Sequence, residues 1–264
     1  MVKWCLIVYS PAYNVAASVP ELLSRMRKCA VELGRDGIAF GSLIIIQDGS
    51  TDSTAALLEA ERARTPFLKV VHKKKNEGVV AAIMDGMRLA LGAAASGPDD
   101  AIILRMDSDL EHQPEDIKNV LAPLLSGQAA VSVGYIQPDN RNGLFFRIFN
   151  ERAGLEENRR FAGLDIPQFC PGFYAARADT LRKIFPRLEG TISSFRLRTG
   201  RDMVTLDLAL FAFAKRSGLK LAAVQLRPIE EKWIKKQPLG KTFSYLRLHL
   251  ETVQFLEKQF GQMP

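Results

Sequence analysis

The segment Leu104-Arg105-Met106-Asp107-Ser108-Asp109 closes an apolar run with two carboxylates one residue apart. Along an extended chain alternate side chains share a side, so both acids point the same way, and close anions repel unless a cation lies between them. Mg2+ and Mn2+ meet that requirement: they prefer oxygen ligands, and one or two protein carboxylates plus the oxygens of a substrate diphosphate commonly suffice. An isolated pair of this kind also arises by chance or as a helix cap, and the context separates the readings. The acids follow a buried-looking strand and precede His112-Gln113-Pro114-Glu115-Asp116, where proline and acidic residues mark a helix start. Upstream, Asp48-Gly49-Ser50-Thr51-Asp52 ends another apolar run. Ligands gather at the carboxyl ends of parallel strands, so both segments can line one crevice.

The elements that must hold these acids alternate through the first half of the chain. Leu6 to Tyr9, Leu43 to Ile46, Leu68 to Val71, Ala101 to Leu104 and Ala130 to Val133 are short apolar runs that predict strands, with helical spacing between them. Ser18-Val19-Pro20-Glu21 reads as a capping box ahead of Leu22, Met26, Cys29 and Leu33 on one helical face. A second helix is expected after Gly49-Ser50-Thr51-Asp52 and a third from about Gly78 to Leu91. From about Pro138 to Gly200 the pattern is irregular and predicts a region built on loops. A helix over Leu206 to Lys215 ends at Ser217-Gly218, and a strand is expected from Lys220 to Leu226. Apolar residues from Phe243 to Phe260 recur at helical spacing, which predicts an amphipathic helix that docks on the body or meets an anionic membrane.

These expectations describe one α/β unit of 264 residues with an ordinary globular composition. The net charge of +7 suits anionic partners, and twelve Arg or Lys against six Asp or Glu fall between Asn140 and Arg201. No motif of a nucleic-acid-binding module is present, so nucleic acid is not the expected partner. Three scattered cysteines, Cys5, Cys29 and Cys170, lack the spacing of a disulfide framework or zinc site. No run reaches the ~18 to 20 apolar residues of a membrane span. The expected location is cytoplasmic, with peripheral contact on the inner face of the membrane.

Four motifs in register, Ser10-Pro11-Ala12-Tyr13-Asn14, Gln47-Asp48-Gly49-Ser50-Thr51-Asp52, Asn76-Glu77-Gly78 followed by Ala82 and Gly86, and Met106-Asp107-Ser108-Asp109-Leu110, resemble the family 2 glycosyltransferases over the first 125 residues. The resemblance implies a GT-A fold, a Rossmann-like and mostly parallel central sheet flanked by helices. It also implies a nucleotide-sugar donor, Mg2+ or Mn2+ as cofactor, and inversion at the anomeric carbon. It assigns Pro11, Tyr13, Gln47, Asp48, Asn76, Gly78 and Asp107 to the nucleotide sugar and Asp107 and Asp109 to the metal, Asp109 as the direct ligand. Many relatives carry two aspartates where this chain has Gln47-Asp48; the Gln47 amide can still bond a uracil or guanine imide, which leaves UDP- and GDP-sugars both open. In family members an acidic pair leads the helix that supplies the catalytic base. Here that position reads Leu206-Asp207, so Asp207 matches the second acid, the first is missing, and Asp202 is the second candidate base.

The end of the chain is similar to the polyprenyl-phosphate sugar synthases, of which dolichol-phosphate mannose synthase is typical, through Lys235-Lys236-Gln237-Pro238-Leu239-Gly240-Lys241-Thr242. That similarity implies that Lys236 and Lys241 neutralise phosphates of donor or acceptor. It also implies a lipid-phosphate or cell-surface glycan acceptor and a place in cell-envelope synthesis. Cys170-Pro171-Gly172-Phe173-Tyr174 with Arg177 is similar to the family's acceptor-side segment or is a packed turn, and His112 reads as a surface histidine. Residues 1–125 form the nucleotide-sugar half, 126–227 the acceptor half, and 228–264 the basic segment and C-terminal helix. Two alternatives stay open: a catalytically silent binding subunit of the same fold, favoured by Gln47 and Leu206, and a sugar nucleotidylyltransferase, whose glycine-rich phosphate cradle is absent from the first loop. Oligomeric state is not legible.

Overall fold

A computed structural model describes residues 4–96, 100–137, 144–168, 171–234 and 239–261. In chain order the elements are β1 (Trp4–Ala12), α1 (Val19–Arg35), β2 (Ile38–Gln47), α2 (Thr54–Arg62), β3 (Leu68–His72), α3 (Val79–Ala95), β4 (Ala101–Arg105), α4 (Ile117–Leu125), β5 (Val131–Tyr135), α5 (Leu144–Glu157), β6 (Phe173–Arg177), α6 (Ala178–Thr199), α7 (Leu206–Arg216), β7 (Leu221–Gln225) and α8 (Leu239–Gly261). The strands form one seven-stranded sheet in the order β3-β2-β1-β4-β6-β5-β7. β3, β2, β1 and β4 are mutually parallel, β6 runs antiparallel to both β4 and β5, and β7 is parallel to β5.

Period-two alternation gives each face its own core. Leu6 and Val8 of β1 join a buried cluster under α1, α2 and α4, while Ile7 and Tyr9 join one under α3, α6, α7 and α8. Helix α3 comes close to β1 because Gly86 has no side chain there; a Cβ at that position would stand 2.6 Å from Tyr9 Cδ2. The C-terminal helix docks on the body, with Val253, Leu256 and Phe260 buried and Phe260 packed edge-on to Phe213.

Two expectations need correction. The stretch from Pro138 to Gly200 is mostly regular: α5, a π-helical turn over Asn158–Ala162, β6 and the 22-residue α6 fall within it. Pro186 and Gly190 inside α6 mimic loop chemistry, but burial of Leu181, Ile184, Leu188 and Phe195 holds the helix together. The capping box is also absent. Ser18 Oγ donates to the carbonyls of Val15 and Ser108 rather than accepting from α1, and Glu21 turns away to Lys232 and Arg25.

Candidate active site

The strand order turns at β1, since β2 follows on one side and β4 stands on the other. Side chains after the carboxyl ends of these parallel strands therefore diverge around a crevice. There the chain forms a cleft of about 260 Å³ lined by Pro11 and Tyr13 after β1, Asp48 after β2, Asn76 and Val79 at the start of α3, and Asp107, Ser108 and Asp109 after β4. Six residues assigned from sequence to the donor or metal meet in this one cleft.

Side chains stitch the loops that form its walls. Asn14, at φ +52°, accepts from the Thr51 amide through its side-chain oxygen (2.8 Å) and donates its own backbone N–H to Ser50 Oγ (3.1 Å). The amides of Val15 and Ala16 donate to Thr54 Oγ1 and Asp52 Oδ2. Ser108 is fixed from two sides, by Ser10 Oγ at 2.6 Å and by Ser18 Oγ on its carbonyl at 2.8 Å. Gly49, at φ +64°, lets its turn lie against Lys75 and Asn76, where a Cβ would meet backbone within 2.4 Å. Asp48 is almost wholly buried, and its two oxygens accept the amides of Glu77 and Gly78 at 3.0 Å each. It thus shapes the wall as well as facing the cleft. Gln47 does not line the cleft; its Oε1 accepts the Gly49 amide at 3.0 Å.

Asp107 and Asp109 both face the cleft, partly exposed, with the buried Ser108 between them; the segment is a turn beyond the end of β4, so the turn and not the strand alternation expected from sequence brings the two acids together. No group of three His, Cys, Asp or Glu poised for a metal occurs among the described residues. Two carboxylates nonetheless fit Mg2+ or Mn2+, because such ions take few protein ligands and fill the rest of their shell with phosphate and water oxygens. His112 is buried, not on the surface: it packs against Phe173 at 5.3 Å between centroids, with Nδ1 3.9 Å from Asp107 Oδ2. Gly172, at φ +64°, admits this arrangement, since a Cβ there would come within 2.9 Å of Asp107 Oδ2 and 3.0 Å of His112 Cε1.

Arg105 has no role in the sequence reading. It is buried beneath the cleft, with Nη1 2.6 Å from both oxygens of Asp207 and Nη2 3.2 Å from Asp107 Oδ1. Burial works against its charge, but Asp207 and Asp107 together raise its pKa well above the usual arginine value. The signal was available as a single arginine in an otherwise apolar strand, which needs a carboxylate partner to be buried. Beside it the hydroxyls of Tyr9 and Tyr174 meet at 2.7 Å, and burial pushes both phenols well up.

The two candidate bases lie apart. Asp207, 1% exposed, stands behind Arg105 and does not line the cleft. Asp202 is bonded by Arg196 Nε at 2.8 Å and stands against the entrance of α3, where a Cβ on Gly78 would be 3.2 Å from its Oδ2. Lys236 lies outside the described residues. Lys241 falls in α8, but its side chain is likewise outside them.

Comparison with known proteins identifies the family and the fold. The family described as Glycosyl transferase family 2 matches residues 7–185. An undecaprenyl-phosphate mannosyltransferase of Micrococcus luteus is 29% identical over 66% of this chain and 67% of its own length. An undecaprenyl-phosphate 4-deoxy-4-formamido-L-arabinose transferase of Pseudomonas aeruginosa is 32% identical over 53% of this chain, and the match spans only 38% of that longer relative. Among solved structures, glucosyl-3-phosphoglycerate synthase of Mycobacterium tuberculosis superposes with a TM-score of 0.62 at 19% identity, covering 98% of this chain and 81% of the other. A mannosyltransferase of Pyrobaculum calidifontis, solved with GDP-Man and Mn2+, gives 0.58 at 15%, covering 99% and 65%. With four motifs gathered at one switch-point cleft and the family match spanning more than half of its length, the chain belongs to glycosyl transferase family 2.

Proposed function

We propose that this glycosyltransferase takes a UDP- or GDP-sugar, held with Mg2+ or Mn2+, and moves the sugar with inversion onto a polyprenyl phosphate. The observation that carries the reading is the pairing of Asp107 and Asp109 in the cleft that also holds Pro11, Tyr13, Asp48 and Asn76. Undecaprenyl phosphate, named as acceptor in both relatives quoted above, supports the acceptor class.

In this mechanism Tyr13, 44% exposed at the cleft edge, offers its ring to the base beside Pro11. Asn76 and the positive N-terminal end of α3 face the sugar diphosphate. Asp107 and Asp109 would hold the divalent ion, and once bound it would supply positive charge against the departing diphosphate. An acceptor phosphate oxygen attacks the anomeric carbon from the face opposite the diphosphate. The carbon–oxygen bond to the diphosphate breaks, and the nucleoside diphosphate leaves with that electron pair. An ionised phosphate needs no base, which accords with Asp207 standing outside the cleft. For a hydroxyl acceptor, Asp202 is the carboxylate at hand, beside Gly78. Lys236 and Lys241 are retained as partners of donor or acceptor phosphate.

A lipid acceptor calls for a membrane-facing surface. No helix among the described residues is long and apolar enough to cross a membrane. The reading therefore takes peripheral contact on the cytoplasmic leaflet, through the end of α6 and the adjoining face of α8. Leu197 is 88% exposed there, beside Arg198 and Arg201, with Leu250 and Arg247 across from them.

Calorimetric titration of UDP and GDP with and without Mn2+, on the wild type and on Asp109→Ala, tests the donor site. The expected result is binding of one nucleotide that requires Mn2+ and is lost in the variant. Binding of neither nucleotide under any metal condition would overturn the reading in favour of a silent module of the same fold.

A further inference from the structure

We infer that Arg105 is a positioning residue for the metal-binding edge of the cleft, and that Asp207 serves as its counter-ion rather than as a catalytic base. The inference rests on the proposed role of Asp107 and goes beyond it to two residues that do not line the cleft.

Arg105 cannot shed its proton and presents a rigid fork of donors. One arm, Nη1, is spent on both oxygens of Asp207 at 2.6 Å; the other, Nη2, reaches Asp107 Oδ1 at 3.2 Å. Each arm has its own carboxylate, and the two grips are unequal. Asp207 lies 1% exposed in the core and takes the short contacts, whereas Asp107 is a third exposed and takes the long one. Asp107 is thereby turned so that Oδ1 faces the protein, leaving Oδ2 on the side of His112 and Gly172.

The charge count explains why Asp207 is needed. Arg105 alone, buried under the site, would both repel a divalent ion and draw Asp107 fully onto itself. With Asp207 saturating Nη1, the buried pair is near neutral and Asp107 keeps its own charge for the cleft. A base, by contrast, must reach the proton it takes, and Asp207 is walled off behind the guanidinium. Leu206, at the position where the family resemblance implies an acid, is also buried in the core.

The test is Mn2+ affinity, read by the electron paramagnetic signal of free Mn2+ in the presence of whichever of GDP or UDP the wild type binds. In Asp207→Asn, Arg105 loses its counter-ion and should engage Asp107, weakening Mn2+ at least threefold. Arg105→Lys keeps a charge beside Asp207 and hence the fold, but a single ammonium cannot hold two carboxylates apart, and Mn2+ should again weaken at least threefold. Arg105→Lys carries the test alone if Asp207→Asn is recovered unfolded by circular dichroism. Folded variants whose Mn2+ affinity stays within threefold of wild type overturn the inference, and Asp207→Asn with unchanged Mn2+ affinity but lost turnover returns Asp207 to the role of base. Absence of Mn2+-dependent nucleotide binding in the wild type is a separate result: it removes the proposed function itself, and this inference with it.

Discussion

Asp48 has two tasks that its sequence position disclosed only in part. The motif pointed to the nucleotide, yet both oxygens are engaged by the amides of Glu77 and Gly78, which makes the acid a clamp on the loop entering α3. Asparagine is nearly isosteric but has one acceptor and one donor group at its tip, so one buried amide would face another N–H. Asp48→Asn should therefore cost about 1–3 kcal/mol in urea unfolding and weaken nucleotide binding by loosening Asn76. Calorimetry showing unchanged affinity would mean that this loop does not bear on the donor. Legibility at this scale followed chemistry: carboxylates at strand ends stood out by type and spacing. Arg105, Ser108 and Gly172 owe their roles to partners 102, 98 and 65 positions away, and no local pattern reveals such partners.

Among the elements, those with a clean apolar period were readable in advance, and those that answer to tertiary burial were not. The five early runs became β1 to β5 with longer ends, because polar neighbours such as Ser10, Ser42 and Arg105 are carried inside by the ladder once partners exist. Strand β6 was missed because it enters after Pro171-Gly172 and is set by pairing with β4 and β5, antiparallel to both. Helix α1 is anchored by charge as well as by its apolar face. Arg25, only 12% exposed, binds Glu115 before α4, Glu230 in the segment after β7, and Glu21 on its own helix. Burial tends to raise Glu115, but the Arg25 hydrogen bonds bring it below the usual glutamate range, and Lys232 lowers Glu21. Because the folded pKa values lie below the unfolded ones, their contribution is present above about pH 4.3 and is lost as pH falls through the depressed values. Thermal melts should lose stability between about pH 5 and 3 in the wild type, with a shallower loss in Arg25→Met, which should also be less stable by about 2 kcal/mol at pH 7. An identical acid slope in both proteins would mean that Arg25 is not the source.

Over the whole molecule, the positive excess noted between Asn140 and Arg201 does not form one field, because much of it is spent internally. Arg159, Arg160, Arg177 and Arg196 each reach an acid, whereas Leu197 and Arg198 at the end of α6 project outward. If this end meets the membrane, vesicles with anionic lipid should bring the protein down on sedimentation, and neutral vesicles should not. Leu197→Glu with Arg198→Glu should reduce that binding severalfold with only a small loss of stability, about 0.5–1 kcal/mol, because both side chains are exposed and the change gives up the stacking of Arg198 on Phe255. About 0.5 M salt should release the wild type, since screening shortens the reach of surface charge to a few ångströms. Equal binding by wild type and variant would move the membrane-facing surface elsewhere on the molecule.

The hydroxyl pair of Tyr9 and Tyr174, which belongs to the core floor beneath the cleft and not to its lining, is also optically observable. Burial holds both phenols protonated far into the alkaline range, so two of the chain's five tyrosines should withhold their tyrosinate absorbance while the floor stays closed. In an alkaline titration followed in the ultraviolet, those two should appear together and abruptly, at the pH where tertiary circular dichroism collapses. A ligand that tightens the cleft would then shift that step to higher pH, giving an unlabelled readout of occupancy from beneath the site.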